Sequence, residues 1–360
     1  MSRRDANEKR PLSVLVIDDS AFSRRTITSL LERSPLIEVA DIARDGEEAL
    51  RKALTLQIDL VTLDLEMPRM DGFTFLRLLM AQKPTPVLVV SGLGGKEDVW
   101  KALELGAVDF VTKPTRRAAP ELATIEAELL RKVLAARELR MDRVRERMRA
   151  PVAPAQTPEG AARIVAIGAS TGGPAALMQL FDALTPSECA FVIAQHMPEG
   201  FTRSFAERIA RTTGFDAREA EGGEVPAPGT IFVAPGGRHL ELDTQGGRVV
   251  TRVTPGGAGD RFAPSVDRLF VSAAKHVGPD LLAVVLTGMG DDGAAGALAV
   301  KRAGGNVIAE SEETSVVFGM PRQAVRIGAV DAVLPLHEIP NAIQNGFAAE
   351  RAKREGLANE

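Results

Sequence analysis

The sequence predicts an α/β protein built from two doubly wound, parallel-sheet domains. Short apolar runs alternate with amphipathic stretches of helical period along most of its 360 residues. A Pro- and Ala-rich stretch, residues 151–160 (PVAPAQTPEG), divides two such series. Acidic, basic, hydroxyl and imidazole side chains recur where the apolar runs stop, at the carboxyl ends of the strands, where sheets of this kind bind their ligands.

Composition leaves room for two ordinary domains and narrows the class of function. With 45% hydrophobic and 26% charged residues and a net charge of −4, the chain has no global bias toward nucleic acid or a membrane surface. The single cysteine, Cys189, rules out an internal disulfide framework and fits a reducing compartment. The N-terminal MSRRDANEKRP lacks the apolar core of a secretory signal, and no apolar run is long enough to span a bilayer. A cytoplasmic protein is expected.

In the first series, LSVLVI (12–17) is a buried strand ending at Asp18-Asp19-Ser20, and a helix follows from about Phe22 to Arg33. Strand 37–42 leads to a helix from about Glu47 to Leu56. Strand 60–63 ends at Asp64, and a helix runs from Phe73 to Ala81. Strand 86–90 ends at Ser91, helix 96–105 follows, and strand 108–112 leads into Lys113-Pro114. Asp18, Asp19 and Asp64 thus converge from strands one and three. Three carboxylates in one place repel each other and call for a cation; hard oxygen donors without histidine or cysteine suit Mg²⁺. Ser91 and Lys113 end the next two strands at the same edge, where a hydroxyl and an ammonium beside metal-bound carboxylates suit a phosphoryl group.

With Asp18-Asp19, Asp64 in LDLEMPRMDG, Ser91, Phe110 and Lys113-Pro114, residues 12–115 resemble the receiver domain of bacterial response regulators. The resemblance implies a flavodoxin-like fold with Asp64 as phospho-acceptor and a histidine kinase as phosphodonor. It implies Mg²⁺ held by Asp18, Asp19, Asp64 and the carbonyl of Glu66. Ser91 and Phe110 become the switch pair; with no tyrosine in the chain, no phenolic hydroxyl takes part.

A charged helical stretch is expected from about 120 to 150. Leu122, Ile125, Leu129 and Val133 form an apolar stripe for docking on the sheet. The run from Arg137 to Arg149 beyond it reads as a solvated extension.

The second series opens with RIVAIGASTGGP (163–174): a strand, a tight turn and a helix from Ala175 to Ala183. Gly168-Ala-Ser170-Thr-Gly172 fits a G-x-S-x-G elbow, and Pro174 suits a first helical turn. Strand 191–194 ends at Gln195-His196, and a helix covers about 202–212. Strand 231–234, a hairpin of 240–242 with 248–253, and helix 265–277 follow. Strand 281–286 ends at Thr287-Gly288-Met289-Gly290-Asp291-Asp292. A helix from 295 to 303, a strand at 307–309 and a helix at 321–327 complete the unit. Residues 334–335 lie by the sheet edge, and a last helix reaches about Arg351.

Three strand ends therefore present Ser170, His196 and Asp292. A serine hydroxyl needs a base, and an imidazole needs a carboxylate to orient it. The order Ser, His, Asp is not that of the α/β-hydrolases. His239, after a glycine turn, is the better rival base; His276 lies within a helix, His337 is a further candidate, and Asp291 rivals Asp292.

GASTGGP (168–174), QHMP (195–198), PSVDRLF (264–270), LTGMGDDGA (286–294) and SVVFGMPR (315–322) make the second half similar to the catalytic domain of the chemotaxis protein-glutamate methylesterases. That resemblance implies Asp292 rather than Asp291 in the triad and the Met289 backbone N–H in the oxyanion hole, with Thr171 beside the nucleophile. The oxyanion is expected to be held near Met289 and the Gly172-Gly173 turn. The resemblance implies a Rossmann-like hydrolase domain without a cofactor, acting on methylated glutamates of the cytoplasmic part of chemoreceptors, with glutamine deamidation as a second activity. The expected layout is a receiver at 1–118, a helical extension and linker at 119–160, the methylesterase domain at 161–350 and a polar tail at 351–360. A monomer without nucleic-acid or membrane contacts is expected, in which the unphosphorylated receiver occludes Ser170. The alternatives are a signalling scaffold with a vestigial site and a hydrolase of small esters.

Overall fold

Apolar runs too short for a stable helix become strands, and both sheets they form are entirely parallel, in a computed structural model that describes residues 10–92, 96–113, 119–139, 141, 144, 163–186, 189–257 and 259–344. The chain falls into two compact units that divide between Arg149 and Ala150.

In the first unit the strands are β1 (Leu12–Ile17), β2 (Ile37–Ala43), β3 (Leu60–Leu63), β4 (Val87–Ser91) and β5 (Asp109–Thr112). Their order in the sheet is β2-β1-β3-β4-β5. The helices α1 (Ala21–Leu31), α2 (Gly46–Thr55), α3 (Gly72–Gln82), α4 (Lys96–Glu104) and α5 (Ala119–Ala135) alternate with them. Ser20, Asp45 and Asp71 start the first three helices by accepting from backbone N–H groups in the first turn. The order reverses between β1 and β3, the strands that end at Asp18 and Asp64. Leu129 and Val133 of α5 join the core of β1 and β4, as the apolar stripe predicts; the Leu122 side chain lies outside the described residues. Helix α5 ends at Ala135 and a 3₁₀ turn covers Ala136–Glu138; beyond it the described residues Met141 and Val144 are again helical, within the expected stretch. Arg137 there is not a solvated charge: it donates to the carbonyls of Arg10 and Leu36 at 2.7 and 3.3 Å. The run from Arg145 to Arg149, the proline-rich stretch and the expected end of the last helix lie outside the described residues.

The second unit holds β6 (Arg163–Ala169), β7 (Cys189–Gln195), β8 (Asp216–Glu219), β9 (Thr230–Val233), β12 (Leu281–Val285), β13 (Asn306–Glu310) and β14 (Ala332–Leu334). They are ordered β14-β13-β12-β6-β7-β9-β8. The expected hairpin forms a separate antiparallel ribbon of β10 (Arg238–Gln245) and β11 (Arg248–Pro255). Helices α6 (Gly173–Ala183), α7 (Phe201–Thr213), α8 (Val266–Val277), α9 (Ala294–Arg302), α10 (Met320–Arg326) and α11 (Ile339–Gln344) complete it. Leu269 and Phe270 of α8 share one core with Leu240 and Leu242 of the hairpin and with Ala166, Val192 and Val285 of the sheet. Strand β8 was not expected: DARE is a polar edge strand and carries almost no apolar signal. The sheet reverses between β6 and β12, which places the crevice beyond those two strands and β7. Among the described residues no helix is long and apolar enough to cross a membrane.

Candidate active site

Strand β6 ends at Ala169, and Ser170 begins the turn that follows. The Ser170 N–H donates to the Thr287 carbonyl at 3.0 Å, so the turn is tied to the end of β12. Gly172 takes a φ of 77°, a left-handed conformation that glycine adopts without the steric cost of a side chain, and Pro174 occupies the first turn of α6. The Gly173 N–H donates back to the Ser170 carbonyl at 2.8 Å. That bond corrects one expectation: Gly173 is engaged within its own turn and offers no donor to an oxyanion. A methyl group at Gly288 would lie 2.7 Å from Ser170 Cβ, so the Gly288-Met289 backbone passes directly against the serine. The Gly288 carbonyl accepts from Gly319 and Met320, and its N–H donates to Val317. The Met289 N–H has no hydrogen-bond partner among the described residues.

Ser170, His196 and Asp292 come together although they lie far apart in the chain. His196 Nδ1 lies 3.1 Å from Ser170 Oγ, and its Nε2 lies 2.7 Å from Asp292 Oδ2. A carboxylate only accepts, so Nε2 carries the ring proton and Nδ1 is left to accept from the serine hydroxyl. All three side chains are buried. Asp292 also accepts from the Ser265 hydroxyl at 3.1 Å, from the Val266 N–H at 2.8 Å and from the Asp267 N–H at 2.9 Å. Those donors are the N-cap and first turn of α8, so the carboxylate sits at the positive end of a helix dipole. Burial by itself raises the carboxyl's pKa, but hydrogen bonds from His196 and the α8 backbone outweigh it and hold Asp292 below the ordinary value. A hydroxyl that donates to an imidazole, which in turn donates to an ionised carboxylate, can pass its proton to the ring as it attacks an electrophile.

The rivals are placed elsewhere. His239 is fully buried; its Nε2 lies 2.7 Å from Asp260 Oδ2 and its Nδ1 accepts from the Ser265 N–H at 3.2 Å, so both nitrogens are taken. His276 pairs with Thr244 at 2.9 Å, and His337 is exposed beside Glu338. Asp291 is exposed and pairs with Arg261 at 3.0 Å. Several residues of the site carried no sequence signal. The Phe262 ring stacks on His196, Gln195 Nε2 holds the Ser170 carbonyl at 2.9 Å, and buried Glu310 holds the Thr287 N–H at 2.8 Å. Of these only Gln195 had a hint, its place in the QHMP strand end.

In the first unit, Asp18, Asp19 and Asp64 each offer a carboxylate oxygen, all within 4.8 Å of one another. Lys113 Nζ reaches Asp64 Oδ2 at 2.6 Å and Asp18 Oδ2 at 3.1 Å. Burial is the main cause that pushes Asp64 up to about 6, with Lys113 opposing it, and burial raises Asp18 as well. Crowded all-oxygen donors, with Asp18 and Asp64 buried and Asp19 exposed, fit a hard divalent cation such as Mg²⁺. Ser91 is buried, and its hydroxyl donates to the Gly92 carbonyl at 3.3 Å. Phe110 is buried against Trp100, edge to face at 5.8 Å, and beneath Lys132 Nζ at 5.1 Å. Buried Lys132, on α5, also donates to the Phe110 carbonyl and to Asp109.

Two family models match these two units. Residues 14–123 match the response regulator receiver domain, and residues 165–343 match the CheB methylesterase domain. Protein-glutamate methylesterase/protein-glutamine glutaminase 1 of Myxococcus xanthus (strain DK1622) is 50% identical over 340 residues, which is 94% of this chain and 97% of that protein. Protein-glutamate methylesterase/protein-glutamine glutaminase 3 of Geobacter sulfurreducens is 47% identical over 359 residues, covering 93% of this chain and 97% of that protein. The crystal structure of the Thermotoga maritima CheB methylesterase catalytic domain is 42% identical, with 52% of this chain and 99% of that chain covered and a TM-score of 0.49. The chain belongs to the CheB methylesterase family, in the form that carries a response regulator receiver domain ahead of the methylesterase domain.

Proposed function

We propose that the chain is a phosphorylation-activated protein-glutamate methylesterase that removes γ-methyl esters from glutamates of chemoreceptor cytoplasmic domains. The observation that carries this reading is the buried relay from Ser170 through His196 to Asp292, at 3.1 and 2.7 Å. His196 Nδ1 takes the Ser170 proton as Oγ bonds to the ester carbonyl carbon. The carbonyl oxygen gains the negative charge, and the Met289 N–H stabilises it. The carbon–methoxy bond then breaks, and His196 gives its proton to the leaving oxygen as methanol departs. Water attacks the remaining serine ester, gives a proton to His196 and releases the glutamate carboxylate with Ser170 restored. A glutamine side chain passes through the same acyl-enzyme with loss of ammonia, which supports deamidation as the second activity.

The receiver at 1–118 controls this chemistry from Asp64, the residue phosphorylated by a histidine kinase, with 119–160 linking it to the methylesterase domain at 161–350 and 351–360 a polar tail. Asp18, Asp19, Asp64 and the Glu66 carbonyl would hold Mg²⁺, which when bound neutralises charge on the incoming phosphoryl group. Lys113 pairs with the acceptor carboxylate, and Ser91 and Phe110 carry the change onward. The chain acts in the cytoplasm as a monomer.

The test is release of labelled methanol from methylated receptor membranes, with and without a small phosphodonor plus Mg²⁺. Ser170→Ala is expected to abolish release, and Asp64→Asn to keep basal release while losing its stimulation. No release from the wild type under any condition sinks the reading. Efficient hydrolysis of free small esters with none from receptors turns it to a small-ester hydrolase.

A further inference from the structure

The face of the His196 ring is covered as carefully as its edges. Phe262 lies on it with ring centroids 4.3 Å apart and planes only 6° apart. Phe262 belongs to neither strand nor helix; it lies between β11 and α8, yet the residues beside it are tied down on two sides. Asp260 accepts from the buried His239 at 2.7 Å and from the Gly257 N–H at 2.8 Å. The Ala263 carbonyl accepts from the Gly237 N–H at 3.1 Å. Arg261 reaches Asp291 at 3.0 Å and sits 5.3 Å from the Phe262 ring centre. That last pair is exposed and contributes little; the buried His239 is the firm anchor. Its Nδ1 accepts from the same Ser265 whose hydroxyl holds Asp292. One connected set of contacts therefore sets both the carboxylate in the imidazole plane and the aromatic ring above it.

Two in-plane hydrogen bonds fix the ring nitrogens of His196 but leave the ring free to tilt about the line that joins them. A parallel aromatic face removes that tilt. It also favours the imidazolium that forms as the serine proton is taken, since a π face attracts a cation. We propose that Phe262 is a positioning residue for His196, and that the His239–Asp260 pair holds Phe262 in place. This rests on the reading of Ser170 and His196 given above.

The experiment uses the full chain and two readouts. The first is kcat and KM for methanol release by wild type, Phe262→Leu, Phe262→Tyr, Asp260→Ala and the Phe262→Leu/Asp260→Ala double variant. The second is the NMR position of the His196 ring protons, tractable with only four histidines in the chain. In the wild type these protons are expected upfield, under the ring current of Phe262. Phe262→Leu should lose that shift and lower kcat about tenfold with KM unchanged. Phe262→Tyr should restore both. Asp260→Ala should lower kcat, and the double variant should be no slower than Phe262→Leu. An unchanged kcat in Phe262→Leu, a loss confined to KM, or ring protons that do not respond overturns the proposal. A wild type that shows the ring-current shift but releases no methanol overturns instead the reading of Ser170 on which it rests.

Discussion

Asp291 and Asp292 are adjacent in the chain and identical in chemistry, and one position separates a surface charge from a buried partner of His196. Asp292 owes its state to its donors. Its carboxyl is held below the ordinary 3.8 because the ionised form takes bonds from His196 and the α8 backbone, against the cost of burial. A carboxyl lowered in the folded state stabilises that state above its unfolded value, and the contribution is lost as pH falls through the folded value. The stability gap between wild type and Asp292→Asn in urea denaturation is therefore full at neutral pH and narrows below pH 3.8. The same variant should lose about 10³- to 10⁴-fold in kcat, because an amide no longer fixes the proton on Nε2. Ser170, His196 and Asp292 were legible because each follows the end of an apolar strand. Phe262 was not, because nothing periodic surrounds it and only the return of the chain from β11 into α8 carries it over the imidazole. His239 was legible as a histidine worth watching, but its burial against Asp260 and Ser265 is a property of packing.

Helix α8 supports the site by lying very close to β6. A methyl group at Gly168 would overlap Val266 Cγ1, and Val266 is the residue whose N–H holds Asp292. The glycine is there for close approach, not for a left-handed turn. Gly168→Ala is expected to push α8 away, to destabilise by about 1–3 kcal/mol and to slow catalysis. Adding Val266→Ala should relieve the overlap, so thermal unfolding of the double variant should show less loss than the sum of the two single changes. Equal or greater loss would mean that the helix and strand do not meet through this pair. Element positions followed the apolar period closely, with β1 and β3 as expected and most other ends shifted by one or two residues. The strand that was missed lies where period fades: polar β8 at the sheet edge carries almost no apolar signal.

For the whole molecule, control must come from a difference in how the two receiver states bear on the methylesterase domain. The unphosphorylated receiver is read as a restraint, so removing residues 1–150 should raise basal methanol release and abolish the response to phosphodonor. A truncated chain no faster than the intact one would leave the receiver as a positive activator or a targeting module. The expected direction of control rests on one regulatory and one catalytic domain joined by a short linker; the covalent join by itself says only that two domains travel together.

The pairing of β6 with β12 has a further consequence, one of time. Leu281 must find Ile164 before the central sheet closes, and among the described residues the hairpin, three further strands and three α-helices lie in the loop between them. Closing so long a loop costs more chain entropy than any local pairing in this unit, so it belongs late in folding. A nascent chain that has emerged as far as β11 already carries Ser170 and His196, but Asp292 and Met289 have yet to be made. Every form of the chain that stops short of Asp292 is thus without its relay, and the relay is complete only when β12 has joined β6 across the middle of the sheet.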